Sequence, residues 1–274
     1  MDLITYNNII QFIQNYKGLM VNCLQELKMD YPSISHNTMY SILSIEYQRR
    51  MKRNHIKSNS QINKYWKVYQ SAISNGDSPG IILRMSEEFD VSPCLIAKLI
   101  LKKYIEEYKG PKKMNFNVNR YLRDSYSIPD MDLAYEIYLC TLYDNLYSPI
   151  ADIMKHSLGQ QYEFLLQKQV IELGLAFHNE EYLRKCGYDK TPDIKLEVPV
   201  AIDDVVVNWI ESKALFGDEF VHKGYMNNQY LSYWNRFGPG LVIYWFGYLE
   251  TIVDDIDMRF IVRDHLPKNI VFIS

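Results

Sequence analysis

Three ionisable residues in the last third of the chain have types and spacing suited to chemistry on a phosphodiester. Asp193 follows Thr191-Pro192 and opens one apolar run; Glu211 and Lys213 close the next as Glu-Ser-Lys. A hard cation such as Mg²⁺ or Mn²⁺ takes oxygen ligands, which Asp193, Glu211 and the main-chain carbonyl of Ser212 supply, with water completing the shell. A bound cation lowers the pKa of its water and polarises the phosphate. Lys213 lies two residues past Glu211 and so on the same strand face, where it orients or deprotonates the nucleophile and neutralises charge. Asp193-Ile194-Lys195 is itself a D-x-K, but no Pro-Asp hairpin partner precedes it at a suitable spacing.

The elements around these residues must bring them together. Ile194, Leu196, Val198 and Val200 alternate with polar or small residues, the period of a half-buried strand. Asp203-Asp204 reads as a hairpin turn without the usual glycine, and Val205 to Ile210 as a strand covered on both faces. In an antiparallel hairpin, residues equidistant from the turn face each other. The midpoint of Asp193 and Glu211 falls within about one residue of that turn, so the hairpin brings the two carboxylates together.

Upstream, 150–174 is a long helical pattern with Ile153, Met154, Leu158, Tyr162, Leu165, Leu166 and Val170 expected on its buried side and Glu163 among them. A short helix over 180–185 follows. Downstream, 221–237 reads as a helix carrying Gln229 and Tyr233 four residues apart on one face, with Arg236 about a turn beyond. Gly238-Pro239-Gly240 stops it before an apolar strand over 241–248.

The front half reads as helices throughout. A basic cluster of Arg49, Arg50, Lys52, Arg53, His55 and Lys57 ends one of them. It suits either phosphate binding or a solvated helix end whose cations complement the dipole, and it also has the look of a weak nuclear-import signal. Residues 81–89, a tight turn and a helix from Pro93 to about Tyr108 have the shape of a helix-turn-helix, capped by Ser92 with proline at its first position. In a DNA-reading unit Lys98, Lys102 and Lys103 would face the groove or backbone; in a packing unit the same helix is covered by protein. The loop at 109–113 is basic, and 120–147 resumes helical spacing through Leu133, Ile137, Tyr138, Cys140 and Leu142.

The chain of 274 residues is long enough for two compact units, expected to divide near Tyr147-Ser148-Pro149 into 1–147 and 148–274. Net charge is -3, which argues against a uniformly basic nucleic-acid binder. Residues 1–145 hold 18 Lys and Arg against 15 Asp and Glu, and the rest hold 12 against 18. The excess of acid thus sits with the candidate metal site, where a divalent cation would offset part of it. Twenty-three tyrosines fill cores as readily as they stack on bases. Four scattered cysteines give neither a zinc pattern nor a disulfide framework, and no signal peptide or apolar run of membrane length is read, so a soluble protein of a reducing compartment is expected.

Thr191-Pro192-Asp193, Trp209-Ile210-Glu211-Ser212-Lys213-Ala214 and Tyr233-Trp234-Asn235-Arg236-Phe237-Gly238-Pro239-Gly240 closely resemble the TPD-motif family, the codanin-interacting nucleases. The front half is similar too, around Ser44-Ile45-Glu46-Tyr47-Gln48 and Met51-Lys52-Arg53. The resemblance implies a helical helix-turn-helix domain followed by a PD-(D/E)xK, restriction-endonuclease-like domain with a small mixed central sheet, related to archaeal Holliday-junction resolvases. It implies metal-dependent cleavage of DNA more than RNA, with Glu163 completing the metal and water shell. Gln229, by its likeness to RecB-type nucleases, would help hold substrate near the metal, with Tyr233 and Arg236 on the nucleic acid. It also implies a codanin-like partner docking on the C-terminal region and residence in nucleus and cytoplasm. Asp254-Asp255-Ile256-Asp257 match the pattern less clearly. The alternative is a nuclease fold kept as a binding and assembly module with little turnover.

Overall fold

The computed structural model describes residues 1–54, 59–107, 117–253 and 259–272. His55 and Lys57 of the basic cluster, the loop at 109–113 and the acidic run at 254–257 lie outside the described residues. A helical front region precedes a mixed sheet of six strands with helices. The fold forms two compact units: Met1–Ile9, Ser33–Ile42 and His156–Ser274 make one, and Ile10–Pro32 with Leu43–Lys155 make the other. Two short N-terminal segments therefore belong with the sheet.

The helices of the front region are α1 (Leu3–Asn15), α2 (Met20–Asp30), α3 (His36–Asn54), α4 (Asn59–Ser74), α5 (Ile81–Phe89), α6 (Pro93–Glu107), α7 (Val118–Arg123) and α8 (Met131–Tyr143). The α5–turn–α6 unit falls where the sequence places it. Helix α6 buries eight of its fifteen residues and packs against α4, α5, α7 and α8, so protein covers most of its faces. The α6 N-terminus is capped from a distance: Asp144 accepts from the Ser92 hydroxyl and from Cys94 N–H at 2.9 Å. Glu136 of α8 does the same for α5, accepting from Gly80 N–H at 2.6 Å and Ile82 N–H at 2.9 Å. Both carboxylates are buried, and each satisfies amides that a helix start leaves unpaired.

The sheet unit continues with α9 (Pro149–Glu172), which crosses from one unit into the other, then β1 (Phe177–Asn179), α10 (Glu180–Lys185), β2 (Ile194–Ile202), β3 (Val205–Lys213), α11 (Glu219–Tyr225), a π-helical turn (Met226–Tyr230), α12 (Leu231–Phe237), β4 (Gly240–Tyr244), β5 (Phe260–Arg263) and β6 (Ile270–Phe272). Strand order is β1-β2-β3-β4-β5, with β6 also paired to β2. β2 is antiparallel to β1, β3 and β6, whereas β3-β4 and β4-β5 are parallel.

The hairpin turns at Asp203-Asp204, both left-handed at φ 50 and 63°. Two consecutive positive φ values make a tight turn whose twist suits a hairpin, and aspartate tolerates them better than most residues. Register is not uniform along it. Ile202 pairs with Val205 and Val200 with Val207, yet Lys195 pairs with Trp209, so β2 loops out four residues against one on β3. Pro199, which has no amide to donate, sits in this bulge. The bulge corrects the strict alternation expected of β2, since Val198 is 58% exposed while Leu196 and Val200 are buried. It also moves the register so that Ile194 faces Ile210 and the two carboxylates meet.

One sheet face carries Leu166 and Val170 of α9 against Ile194, Leu196, Ile210, Leu241 and Ile243. The other carries Tyr230 and Tyr233 against Trp209, Val242, Tyr244 and Phe260. Gly240 is needed here: a Cβ would lie 2.1 Å from the Trp209 ring. α9 differs from its expected burial, because Ile153 and Met154 are 65% and 66% exposed and only Leu166 and Val170 are fully covered. Tyr138 and Leu142 of α8 are likewise exposed, at 41% and 52%. An apolar period fixes which residues share a helix face, but not how far along it a neighbour reaches.

Candidate active site

Asp193 stands just before β2 and Glu211 near the end of β3, facing each other across the hairpin. Asp193 accepts from Ser212 N–H at 2.7 Å, and its own amide donates to Glu211 Oε2 at 3.3 Å. Lys213 donates to Glu211 Oε1 at 2.6 Å. The structure thus brings together the three residues that the sequence singles out. Ser212 is held as well, its hydroxyl accepting from Trp245 Nε1 at 2.8 Å, while Tyr162 of α9 packs on Trp245 at 5.2 Å.

The electrostatics of this group are unusual for a folded surface. Burial and then the charge of Glu211 push the Asp193 carboxyl well above the ordinary carboxylate range. Burial also raises Glu211, against the pull of Lys213. For Lys213 burial opposes charge, but Glu211 and Asp193 together outweigh it and hold the ammonium above its usual pKa. Glu163 is half-buried on α9; burial and then Glu180 raise its pKa, while Lys213 and His156 lower it. Glu163 is therefore within electrostatic reach of the cluster.

Two buried carboxylates with one lysine between them are short of positive charge. Their oxygens suit a hard divalent cation, and among the described residues no group of three or more His, Cys, Asp or Glu side chains is arranged to hold a metal. A cation here would take Asp193 and Glu211 and complete its shell from main-chain oxygen and water. Gln229 Oε1, in the π turn, is buried without a hydrogen-bond partner.

The loop before Asp193 is clamped from several directions. Tyr233, 2% exposed, donates to the Thr191 carbonyl at 2.9 Å. The Thr191 hydroxyl donates to Glu180 Oε1 at 3.2 Å. Arg236 donates to the Lys190 carbonyl at 2.9 Å and to the Asp189 carboxylate. Tyr233 and Arg236 thus hold the loop that aims Asp193. Glu180 is a fourth carboxylate near the cluster, acting on both Glu163 and Glu211. In sequence it reads only as an acid in the first turn of a short helix; its single signal is its place eleven residues before Thr191.

The other candidate cations lie in the helical unit. Arg50 is 6% exposed and donates to the carbonyls of Ile13 and Tyr16 and to Asp90. Arg49 and Arg53 approach the buried Glu46 at 3.5 and 3.6 Å. Lys52 and Lys102 are exposed and Lys98 is intermediate.

Residues 129–266 match the family described as "Protein of unknown function TPD sequence-motif". Full-length relatives agree: the chain is 39% identical to CDAN1-interacting nuclease 1 of Xenopus laevis over 271 residues, 98% of this chain and 89% of that one. The chain belongs to this family. The human protein of the same name is 41% identical over 251 residues, covering 90% and 89% of the two chains, and the Gallus gallus protein 38% over 268 residues, covering 97% and 94%. No solved structure matches the chain. As a family member, it carries the TPD motif as Thr191-Pro192-Asp193, with each residue in a defined place: hydroxyl and carbonyl of Thr191 clamped, Pro192 buried, Asp193 facing Glu211.

Proposed function

We propose that this chain is a metal-dependent nuclease of the PD-(D/E)xK type that hydrolyses phosphodiester bonds, in DNA before RNA and at branched structures. The observation that carries the reading is the meeting of Asp193, Glu211 and Lys213 in one buried, positively undercharged cluster at the end of a hairpin. The names of its relatives support it. Mg²⁺ or Mn²⁺ would be held by Asp193 and Glu211 with the Ser212 carbonyl, and supplies Lewis acidity toward the phosphate and its attacking water. Lys213 keeps a proton and offers it to the phosphate oxygens. Glu163 completes the metal and water shell, and Gln229, whose buried amide oxygen lacks a partner, helps hold the substrate near the metal. Tyr233, Arg236 and Glu180 keep Asp193 aimed.

Exposed Lys52 and Lys102, with Lys98, are the helical unit's candidates for contact with the nucleic-acid backbone. The relatives' name supports a codanin-type protein partner for this chain; that the partner docks on the C-terminal region, and that the pair resides in nucleus and cytoplasm, belong to the same proposal. A second reading, a nuclease fold kept for assembly, is favoured by one observation: both site carboxylates already have internal partners.

Purified protein incubated with branched, single-stranded and duplex DNA and RNA, with and without Mg²⁺ or Mn²⁺, separates the two. Metal-dependent cleavage that is lost in Asp193→Asn and Lys213→Ala supports the nuclease. No cleavage, or equal cleavage by those variants, leaves the assembly module.

A further inference from the structure

Tyr225, the last residue of α11, has no part in the mechanism above, yet it touches the site. The face of its ring lies 4.5 Å, centroid to Nζ, from the Lys213 ammonium. The same ring stacks on Tyr230 at 6.0 Å and 25°. Tyr230 is fully buried, and it packs in turn on Trp209 at 6.2 Å.

The backbone explains how this stack arises. Residues five apart in an α-helix point about 140° away from each other and do not stack. Between Met226 and Tyr230 the helix widens into a π turn, a rare device that recurs at functional sites. Widening brings residues five apart toward one side, so Tyr225 is braced from behind by a core aromatic. The ring is thereby fixed in place with a face toward Lys213.

Among the described residues the Lys213 ammonium donates its hydrogen bond to Glu211 Oε1 at 2.6 Å, and Asp193 adds attraction without a hydrogen bond. That oxygen belongs to a carboxylate that a divalent cation would claim. A cation held there would take away the lysine's ion-pair partner at the stage when its charge is needed on the phosphate. An aromatic face attracts an ammonium without consuming any of its N–H groups. We propose that Tyr225 is the positioning residue of Lys213: its ring holds the ammonium in place when Glu211 is engaged elsewhere, leaving the three N–H groups for the substrate. The inference rests on the metal-nuclease reading for its catalytic consequence, though not for the contact itself.

Lysine-labelled full-length protein, observed by NMR, tests the contact. The Lys213 ε-methylene signal should be displaced upfield by the ring in wild type and in Tyr225→Phe, stay displaced under saturating Mg²⁺, and return to the ordinary position in Tyr225→Leu. Glu211→Gln removes the ion pair without any metal; there the displacement should persist, and vanish in the double variant with Tyr225→Leu. In turnover, Tyr225→Leu should lower kcat by roughly three- to thirtyfold with Mg²⁺ affinity within about twofold of wild type, and Tyr225→Phe should restore it. A Lys213 signal indifferent to Tyr225→Leu, loss of the displacement in Glu211→Gln, or equal loss of kcat and Mg²⁺ affinity would overturn the proposal. Absence of cleavage by wild type would instead sink the nuclease reading, while the NMR comparison still decides whether the ring holds the lysine.

Discussion

Asp193 is aimed by its neighbours more than by its own packing, and Thr191 is the hinge of that arrangement. Its hydroxyl and carbonyl are bound by Glu180 and Tyr233, respectively. Thr191→Val keeps the shape and removes one hydrogen bond to a charged acceptor. It should cost about 1.5–3 kcal/mol in urea unfolding and weaken Mn²⁺ binding by calorimetry, whereas Thr191→Ser should behave like wild type. The carboxylate pair makes a second prediction. A carboxyl with a folded pKa raised by burial contributes stability that is complete below about pH 4 and is lost as pH climbs through the raised value. Lys213, also raised, loses its contribution only in the alkaline range, above the usual lysine value. Without metal, wild type should therefore lose Tm relative to Asp193→Asn as pH rises from about 4 to 8, and Mn²⁺ should reverse the order. A constant difference across that range would refute the raised pKa assigned to Asp193. That Asp193, Glu211 and Lys213 meet was legible from the residue types a metal site would require and from their spacing about the turn. Glu180 and Tyr225 were not, since an acid opening a helix and one tyrosine among 23 look like ordinary structure.

At the level of elements, the hairpin was readable from its turn and its apolar runs, but its register was not. The bulge around Pro199 depends on which β2 residues lose their β3 partners, and no local signal in 196–199 states that. β1, β5 and β6 span three or four residues each, too short for a period to appear. The π turn inside 219–237 is invisible to a 3.6-residue period for the same reason that it matters. Helix starts were half legible: Ser92-Pro93 marked the start of α6, but the acids that serve α5 and α6 come from Glu136 and Asp144, more than 50 residues away or close to it. Glu136→Ala leaves the Gly80 and Ile82 amides without an acceptor and should lower unfolding free energy by about 2–4 kcal/mol, read by denaturant titration. At the other end of the chain, Gly240→Ala forces a methyl into the Trp209 ring and should lower Tm by several degrees, with the loss matching about 1–3 kcal/mol.

On the scale of the molecule, charge had to be read together with burial. The basic cluster of α3 suggested a phosphate track, yet Arg50 is locked inside the helical unit and Glu46 lies between Arg49 and Arg53. Arg50→Ala should therefore destabilise the fold, by about 3 kcal/mol or more in chemical denaturation, because buried acceptors lose their donor. Lys52→Ala should leave stability within about 0.5 kcal/mol. Division of the chain also escaped a linear reading. Tyr6 donates to Asp218 at 2.9 Å, Thr38 to the Phe246 carbonyl at 2.8 Å, and Phe216 N–H to Ser41 at 2.7 Å, so the sheet unit borrows two segments, Met1–Ile9 and Ser33–Ile42, from the start of the chain. A fragment of residues 148–274 alone should be less stable than the same unit in the whole chain, as judged by amide-exchange protection.

Borrowing of this kind also sets a timetable. Tyr6 and Asp218 are separated by 212 residues, and Ser41 and Phe216 by 175. Translation adds about 5–20 residues per second, so the opening segments wait on the order of ten seconds or longer for their partners. During that wait they are helical segments without the partners that complete their unit, and the sheet cannot close until synthesis is nearly complete. The helical unit, whose contacts lie earlier, can settle first, leaving Asp193, Glu211 and Lys213 to assemble last.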